Sequence, residues 1–522
     1  IPMWLPLFSL LLVLSSIRSE EDCSPDGICI CSLSHCSHPL QPPSPSDLSP
    51  DQALHYYTSL SGDRLTKSKL KIEKRRSKWT NSRTEASRGL LLYTLSTTDY
   101  RQGIIGFGGG ITDAAVINID TLPQILQERL IQSYYGPNGI GYSMARIPIA
   151  SCDFSTREYS YVEKEGDFQL NSFALVSEDN QKIKWSKRAR DLVAEDGQSL
   201  KVFGSPWSAP AWMKTNGHMK GGGDLKNGTQ YTQSYANYLV RFIDEYSSQG
   251  VPIWALTVQN EPSTGTDMDY RFQTMYMSPL MEASFVRDYL KPALIASPNG
   301  INVSIMIHDD FRSNLPEWPD ITLSQSGVEP LIDGIGVHWY GDRSVNPNKL
   351  SLTKERHPRQ FILATEACVT DTQGVSLGNF TRAMWYAKDI IEDLTHSVSG
   401  WVDWNIALDT QGGPNWVDNF VDSPIIVDKE KGQFYKQPMF YALGHFSRFI
   451  RPGALIIAHS FISQSEIEAV AVKNIDKTIA IVLLSQLEMD VHVEIRDETS
   501  SITVPVKAQS INTVLYRGAG KH

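Results

Sequence analysis

Eight times between Ile104 and Ala407 a short apolar, β-branched run ends in polar or aromatic residues and gives way to a longer stretch of helical periodicity. The runs lie at 104–112, 140–151, 200–208, 251–259, 302–309, 332–340, 360–367 and 398–407. Between them, segments such as "TQSYANYLVRFIDEYSSQG" place Tyr235, Leu239, Phe242, Ile243 and Tyr246 on one helix face. Strand–helix alternation calls for a parallel sheet with crossover helices. Eight units over roughly 350 residues predict a (β/α)8 TIM barrel with insertions rather than an open sheet.

After about Arg451 the texture changes. "ALIIAHSF", "IEAVAVKN", "TIAIVLLSQ" and "VHVEIRD" are short strands separated by turn residues, without helical stretches. They predict an antiparallel β-sandwich, joined by the pre-barrel segment "LLLYTLSTTDY" and so built from both chain ends. The expected division is a signal peptide at 1–19, a disulfide-bearing segment and linker at 20–55, the β module at 56–100 and 451–522, and the barrel at 101–450.

The 522 residues carry a net charge of −10, which argues against a nucleic-acid partner, since those use a basic face. The basic stretch "KSKLKIEKRRSKW" reads as a solvated strand edge. "MWLPLFSLLLVLSS" followed by "RSEED" matches a secretory leader and is short for a membrane span. Four of the six cysteines, Cys23, Cys29, Cys31 and Cys36, cluster together. In an oxidising compartment they are expected to form disulfides, of which three pairings are open, rather than a zinc site with His35 and His38. Cys152 and Cys368 are expected as buried thiols. Sequons at Asn227, Asn302 and Asn379 fit a glycosylated, lumenal or secreted chain.

Active sites of such barrels sit at the C-terminal strand ends, so the residues there form a physically filtered list. Strand one supplies Asp113; strand two Arg146, Asp153 and Phe154; strand three Trp207 and, slightly later, Trp212. Strand four supplies Asn260 and Glu261, strand six His338, Trp339 and Tyr340, strand seven Glu366, and strand eight Trp401, Asp403, Trp404 and Asn405. Two glutamates ringed by indoles, amides and an arginine suit glycosidic-bond cleavage. One carboxyl protonates the leaving oxygen and the other captures the oxocarbenium-like carbon. Indole faces stack on sugar rings, and amides bond hydroxyls. "GFGGG" (106–110) lacks the last glycine and helix cap of a phosphate loop and reads as close-packed strand backbone. No H-E-x-x-H spacing occurs, so a zinc hydrolase is not expected.

The motifs "QNEPS", "ATEAC", "ARIPIASCDFS", "GSPWSAPAWMKTNG", "GVHWYGD" and "WVDWNIALDTQGGPNWVDNFVDSPIIVD" together resemble the glucosylceramidases of glycoside hydrolase family 30, over nearly the whole chain. The resemblance implies a retaining β-glucosidase acting on glucosylceramide, with Glu261 as acid/base and Glu366 as nucleophile. It further implies that Asp153, Trp207, Asn260, Trp404 and Asn415 hold the glucose hydroxyls and that Arg146 helps keep Glu366 ionised. From the strand-end list, Tyr340 is expected to bind substrate as well and His338 to support the site. It implies no metal or cofactor, a lysosomal setting, and help from a saposin-type activator at anionic lipid surfaces. Another family activity (β-1,6-glucanase or β-xylosidase) and a non-catalytic glycolipid-binding protein are the competing readings. The loop "CVTDTQGVSLGNF" after Glu366 departs from the family: it is shorter than in vertebrate members and lacks their aromatic residue. "YRFQTMYM" (270–277) and Trp318 are the candidates for an apolar entrance.

Overall fold

The computed structural model describes residues 23, 27–36, 43, 47–74, 91–370, 374–461 and 466–517. The leader expected at 1–19, His38, most of the Pro/Ser-rich linker and the basic stretch beyond Lys74 lie outside them. No helix of the described residues is long and apolar enough to cross a membrane.

Eight parallel strands form the barrel: Gly106–Gly110, Met144–Ile149, Lys201–Pro206, Ile253–Thr257, Ser304–Phe311, Gly334–His338, Phe361–Glu366 and Val398–Asn405. They pair in chain order, and the eighth closes on the first. Met144, Phe203, Ala255, Met306, Leu363 and Val402 form one buried cluster filling the interior. Alternate residues of the same strands, such as Ala145, Ile305 and Ile335, pack outward among the helices. Burial on both faces is why these strands read as continuous apolar runs. The glycine run belongs to strand one, where a Cβ on Gly110 would stand 1.9 Å from the carbonyl oxygen of Trp404. Only glycine lets strand one approach strand eight that closely.

Nine strands make the second module among the described residues: Gln52–Ser59, Thr66–Lys74, Leu91–Gly103 and the six from Leu455 onward. Their hydrogen bonding runs in one closed cycle, antiparallel except where Val493–Arg496 run parallel to Leu91–Thr94. The basic strand Thr66–Lys74 is therefore not an edge: it pairs with Gln52–Tyr57 on one side and, through Ile72–Lys74, with Ser500–Ile502 on the other. Its lysines project from an otherwise paired strand. Along Thr478–Ser485, Ile479, Ile481 and Leu483 point into the module, while Ala480, Val482 and Leu484 join the core shared with the barrel.

Cys23 is bonded to Cys29 and Cys31 to Cys36. The short strand Cys29–Cys31 pairs with Gln433–Lys436, fastening the N-terminal segment to the barrel's last loop. Cys152 and Cys368 are free and buried. Asn227 and Asn302 are exposed. Asn379 is half-buried, with its side chain capping the helix Phe380–Thr395.

Candidate active site

The fourth barrel strand ends in "QNEP", and the backbone turns there in a way few residues adopt. Glu261 has φ 41° and ψ 57°, in the left-handed region, a conformation that costs about 1–3 kcal/mol and persists only where the surroundings dictate it. Here Glu261 N–H donates to the Asp309 carbonyl at 2.9 Å, Asn260 N–H donates to that of Pro206 at 2.9 Å, and Pro262 opens a 3-10 turn. Asp309 itself has φ 49° and Ala150, ending strand two, φ 66°. Strain is thus gathered at the strand ends, where it aims side chains inward.

Those side chains line a cavity of about 330 Å³ containing Asp153, Trp207, Asn260, Glu261, Tyr270, Phe272, Tyr340, Glu366, Cys368, Trp404 and Asn419. A carboxylate oxygen of Glu261 and one of Glu366 lie within 4.8 Å of each other. That is the close spacing of a direct carboxylate nucleophile, without the wider gap that holds a water between two carboxyls.

The two glutamates have different surroundings. Glu366 accepts from Arg146 Nη1 on Oε2 and from the Tyr340 hydroxyl on Oε1 at 2.8 Å. Among the described residues no arginine bonds Glu261. Burial raises its pKa to about 7, aided by the charge of Glu366, although His338 Nδ1 sits 3.0 Å from its Oε1 and pulls the other way. For His338 burial works downward, but Glu366 and Asp309 outweigh it and raise its pKa to about 10. The imidazolium then donates from Nδ1 to Glu261 and from Nε2 to Asp309 Oδ1 at 3.2 Å.

Arg146 is fully buried and fills the floor. Nε donates to Ser205 at 3.1 Å, and Nη2 donates to Asn260 Oδ1 at 2.7 Å and Asp309 Oδ2 at 3.0 Å. The amide N–H₂ of Asn260 is thereby left free for a ligand. Burial opposes ionisation of Asp309, yet Arg146 and His338 hold its carboxyl well below the usual carboxylate range. Above the guanidinium lie Trp207 and Trp404, 4.9 and 5.2 Å from it and stacked on one another at 5.0 Å. Asp153 is buried, and among the described residues no cation bonds it; burial raises its pKa to about 7, opposed by Asn419, which donates to Oδ2 at 2.8 Å.

The strand-end list is thus sorted by the structure. Arg146, Asp153, Trp207, Asn260, Glu261, His338, Tyr340, Glu366 and Trp404 converge. Asp113 instead pairs with Lys182, Trp212 donates to the Val162 carbonyl, Trp401 to Asp389, and Asp403 accepts from Tyr386. Asn415 is a correction: its Oδ1 accepts from Val417 and Asn419 N–H groups, holding the turn, and Asn419 reaches the cavity in its place. Trp318 is buried against His308 and bonded to Glu282, so it forms no entrance, whereas Tyr270 and Phe272 do line the cavity. Sequence reasoning missed Asp309, although it sits in "IHDD" at the end of the fifth strand, where the same filter would have found it.

Glu261, His338 and Glu366 are near enough to share an ion. However, both His338 nitrogens face carboxylates and Arg146 already sits on Glu366, an arrangement made for moving protons. Asp342, Asp389 and Asp393 form a second acidic group, around the cation of Arg312.

Comparison with known proteins places this geometry in a family. The "Glycosyl hydrolase family 30 TIM-barrel domain" matches residues 104–450 and the "Glycosyl hydrolase family 30 beta sandwich domain" residues 453–514. "Putative glucosylceramidase 4" of Caenorhabditis elegans is 40% identical over 503 residues, covering 94% of this chain and 93% of that protein. "Lysosomal acid glucosylceramidase" of Mus musculus is 39% identical over 501 residues, covering 94% and 93%. The crystal structure of SrfJ from Salmonella typhimurium matches with a TM-score of 0.81 at 25% identity, covering 90% of this chain and all of that one. With both of its domains matched and the paired glutamates at the mouth of the first, the chain belongs to glycosyl hydrolase family 30.

Proposed function

We propose that this protein is a retaining β-glucosidase that hydrolyses glucosylceramide to glucose and ceramide, with Glu261 as acid/base and Glu366 as nucleophile. The observation that carries the reading is the close approach of two glutamates in unlike surroundings, one bonded by Arg146 and Tyr340 and the other with its pKa raised to about 7.

In the first step a Glu366 oxygen attacks the anomeric carbon while Glu261 gives its proton to the glycosidic oxygen. The bond to the aglycone breaks, and a glucosyl ester of Glu366 forms. His338 bonds Oε1 of Glu261, which leaves Oε2 to carry the proton. In the second step the Glu261 carboxylate takes a proton from water as the water oxygen attacks the same carbon, releasing Glu366 and β-glucose. Asp153, Trp207, Asn260, Trp404 and Asn419 hold the sugar. Asn260, beside the acid, bonds the 2-hydroxyl, a contact that tightens as charge develops.

The lipid assignment draws support from the relatives, named glucosylceramidases, and from apolar groups at the mouth. Met268, two residues before the cavity-lining Tyr270, is exposed on the loop following strand four, and Leu377 is exposed on the loop following strand seven. We place the enzyme in the lysosomal lumen, working on anionic membrane surfaces with a saposin-type activator. Its net charge of −10 opposes such surfaces until acid pH protonates carboxylates.

Incubating the full chain at acid pH with glucosylceramide, a β-xyloside and a β-1,6-glucan in separate assays tests the reading. Release of glucose from the glycolipid is expected, with little turnover of the other two. Preference for the glucan or the xyloside would replace the substrate while keeping the two glutamates.

A further inference from the structure

Beyond the sugar contacts, one buried cation is used by no step of the chemistry. Lys214 follows the 3-10 turn Ala211–Met213 and is 0% exposed. Among the described residues no carboxylate pairs with it. Instead Nζ donates to three backbone carbonyls, those of Met219 at 2.9 Å, Gly221 at 2.9 Å and Thr274 at 2.5 Å. Two belong to its own loop, 213–226, and the third to the loop after strand four.

The loops are zipped around it. Thr274 N–H donates to the Met219 carbonyl at 3.2 Å, Gly221 N–H to that of Tyr270 at 3.0 Å, and Tyr276 N–H to that of Gly223 at 2.8 Å. A Cβ on Gly265 would lie 2.0 Å from the nitrogen of Tyr276, so the second loop is folded tightly on itself. At its tip Tyr270, Arg271 and Phe272 line the sugar cavity. The two rings pack 4.6 Å apart, and Arg271 donates to Asn419 Oδ1 at 2.6 Å.

We infer that Lys214 is a positioning residue: its ammonium clips the strand-three loop to the strand-four loop and so fixes the Tyr270–Phe272 rim that receives the aglycone. This deepens the β-glucosidase reading and rests on it. Three carbonyls need three N–H donors, which an ammonium has and a neutral amine lacks. Burial lowers the Lys214 pKa to about 7, offset in part by the charge of Glu158. The other charged and imidazole side chains of the two loops are His218, Lys220, Asp224, Lys226, Glu261, Asp267, Asp269 and Arg271, none of which bonds it. The clip is complete at acid pH and loses a bond as pH rises through neutrality.

The test uses propyl and octyl β-glucosides, whose alcohols leave alike, so that ionisation of Glu261 cancels in the ratio of their kcat/KM values. At about pH 5, Lys214→Met is expected to lower the octyl-to-propyl ratio roughly tenfold, through KM for the octyl glucoside, with kcat for the propyl glucoside within about twofold. A lowered thermal midpoint with an unchanged ratio would overturn the role and leave Lys214 a structural tie. Should that variant not fold, the wild-type ratio itself decides. It falls between about pH 5 and about pH 8 if the clip operates, and a flat ratio overturns it. Hydrolysis of neither glucoside by the wild type would instead overturn the β-glucosidase reading.

Discussion

Nδ1 of His338 lies 3.0 Å from Oε1 of Glu261, so the residue assigned as acid touches a cation and yet has its pKa raised. Burial and the nearby Glu366 outweigh the imidazolium. A general acid works only while protonated, so activity is present below the pKa of Glu261 and lost above it. The alkaline limb of kcat/KM is expected near pH 7. His338→Phe removes the opposing charge and shifts that limb to higher pH, at some cost in rate. A pH–rate profile of the two enzymes checks both statements.

Glu366→Gln retains the shape of the site and loses the nucleophile, so turnover is expected to fall by roughly 10⁴-fold or more. Glu261→Ala is expected to lose roughly 10²–10⁴-fold on poor leaving groups and much less on activated aryl glucosides, which need little protonation. Added azide then restores turnover of the aryl glucoside and yields the β-glucosyl azide, identifiable by NMR.

Arg146→Met leaves Asp309 and Glu366 buried without their guanidinium, and a loss of about 3–5 kcal/mol in unfolding free energy is expected. Asp309 is held low in the native enzyme. Its stabilisation is therefore present above the unfolded carboxylate value and lost only as pH falls through the folded one. In the variant, burial acts on Asp309 unopposed by the guanidinium. The deficit is greatest at neutral pH and narrows in acid, as paired denaturation curves would show.

Asn419→Ala removes a donor from Asp153 and a polar group from the cavity. KM for simple β-glucosides is expected to rise by about tenfold, one hydrogen bond's worth. Asn415→Ala only loosens the turn beneath, and is expected to lower the thermal midpoint with a smaller rise in KM.

The barrel was legible because strands buried on both faces leave unbroken apolar runs, and all eight structural strands fall within or against the expected ones. Glu261 and Glu366 were legible only as a pair: a single carboxylate closing such a run can be structural, as Asp113 is against Lys182, but two glutamates ending different strands among indoles and amides point to one shared site. The basic strand Thr66–Lys74 misled because lysines mark edges locally, whereas its second neighbour, Ser500–Ile502, comes from the far end of the chain. Asn415 and Asn419 share one turn, and spacing alone does not reveal which amide holds the backbone and which faces the sugar. Lys214 left no signal in the sequence. Its partners are main-chain carbonyls, which every residue possesses.

The most direct measurement of the central claim is labelling with a mechanism-based cyclitol epoxide of glucose configuration, followed by peptide mapping. Attack by the nucleophile opens the epoxide and leaves a stable ester. The account predicts one label per chain, on Glu366, formed in step with loss of activity and absent from Glu366→Gln. A label on any other carboxylate, or full inactivation with Glu366 unmodified, would contradict it.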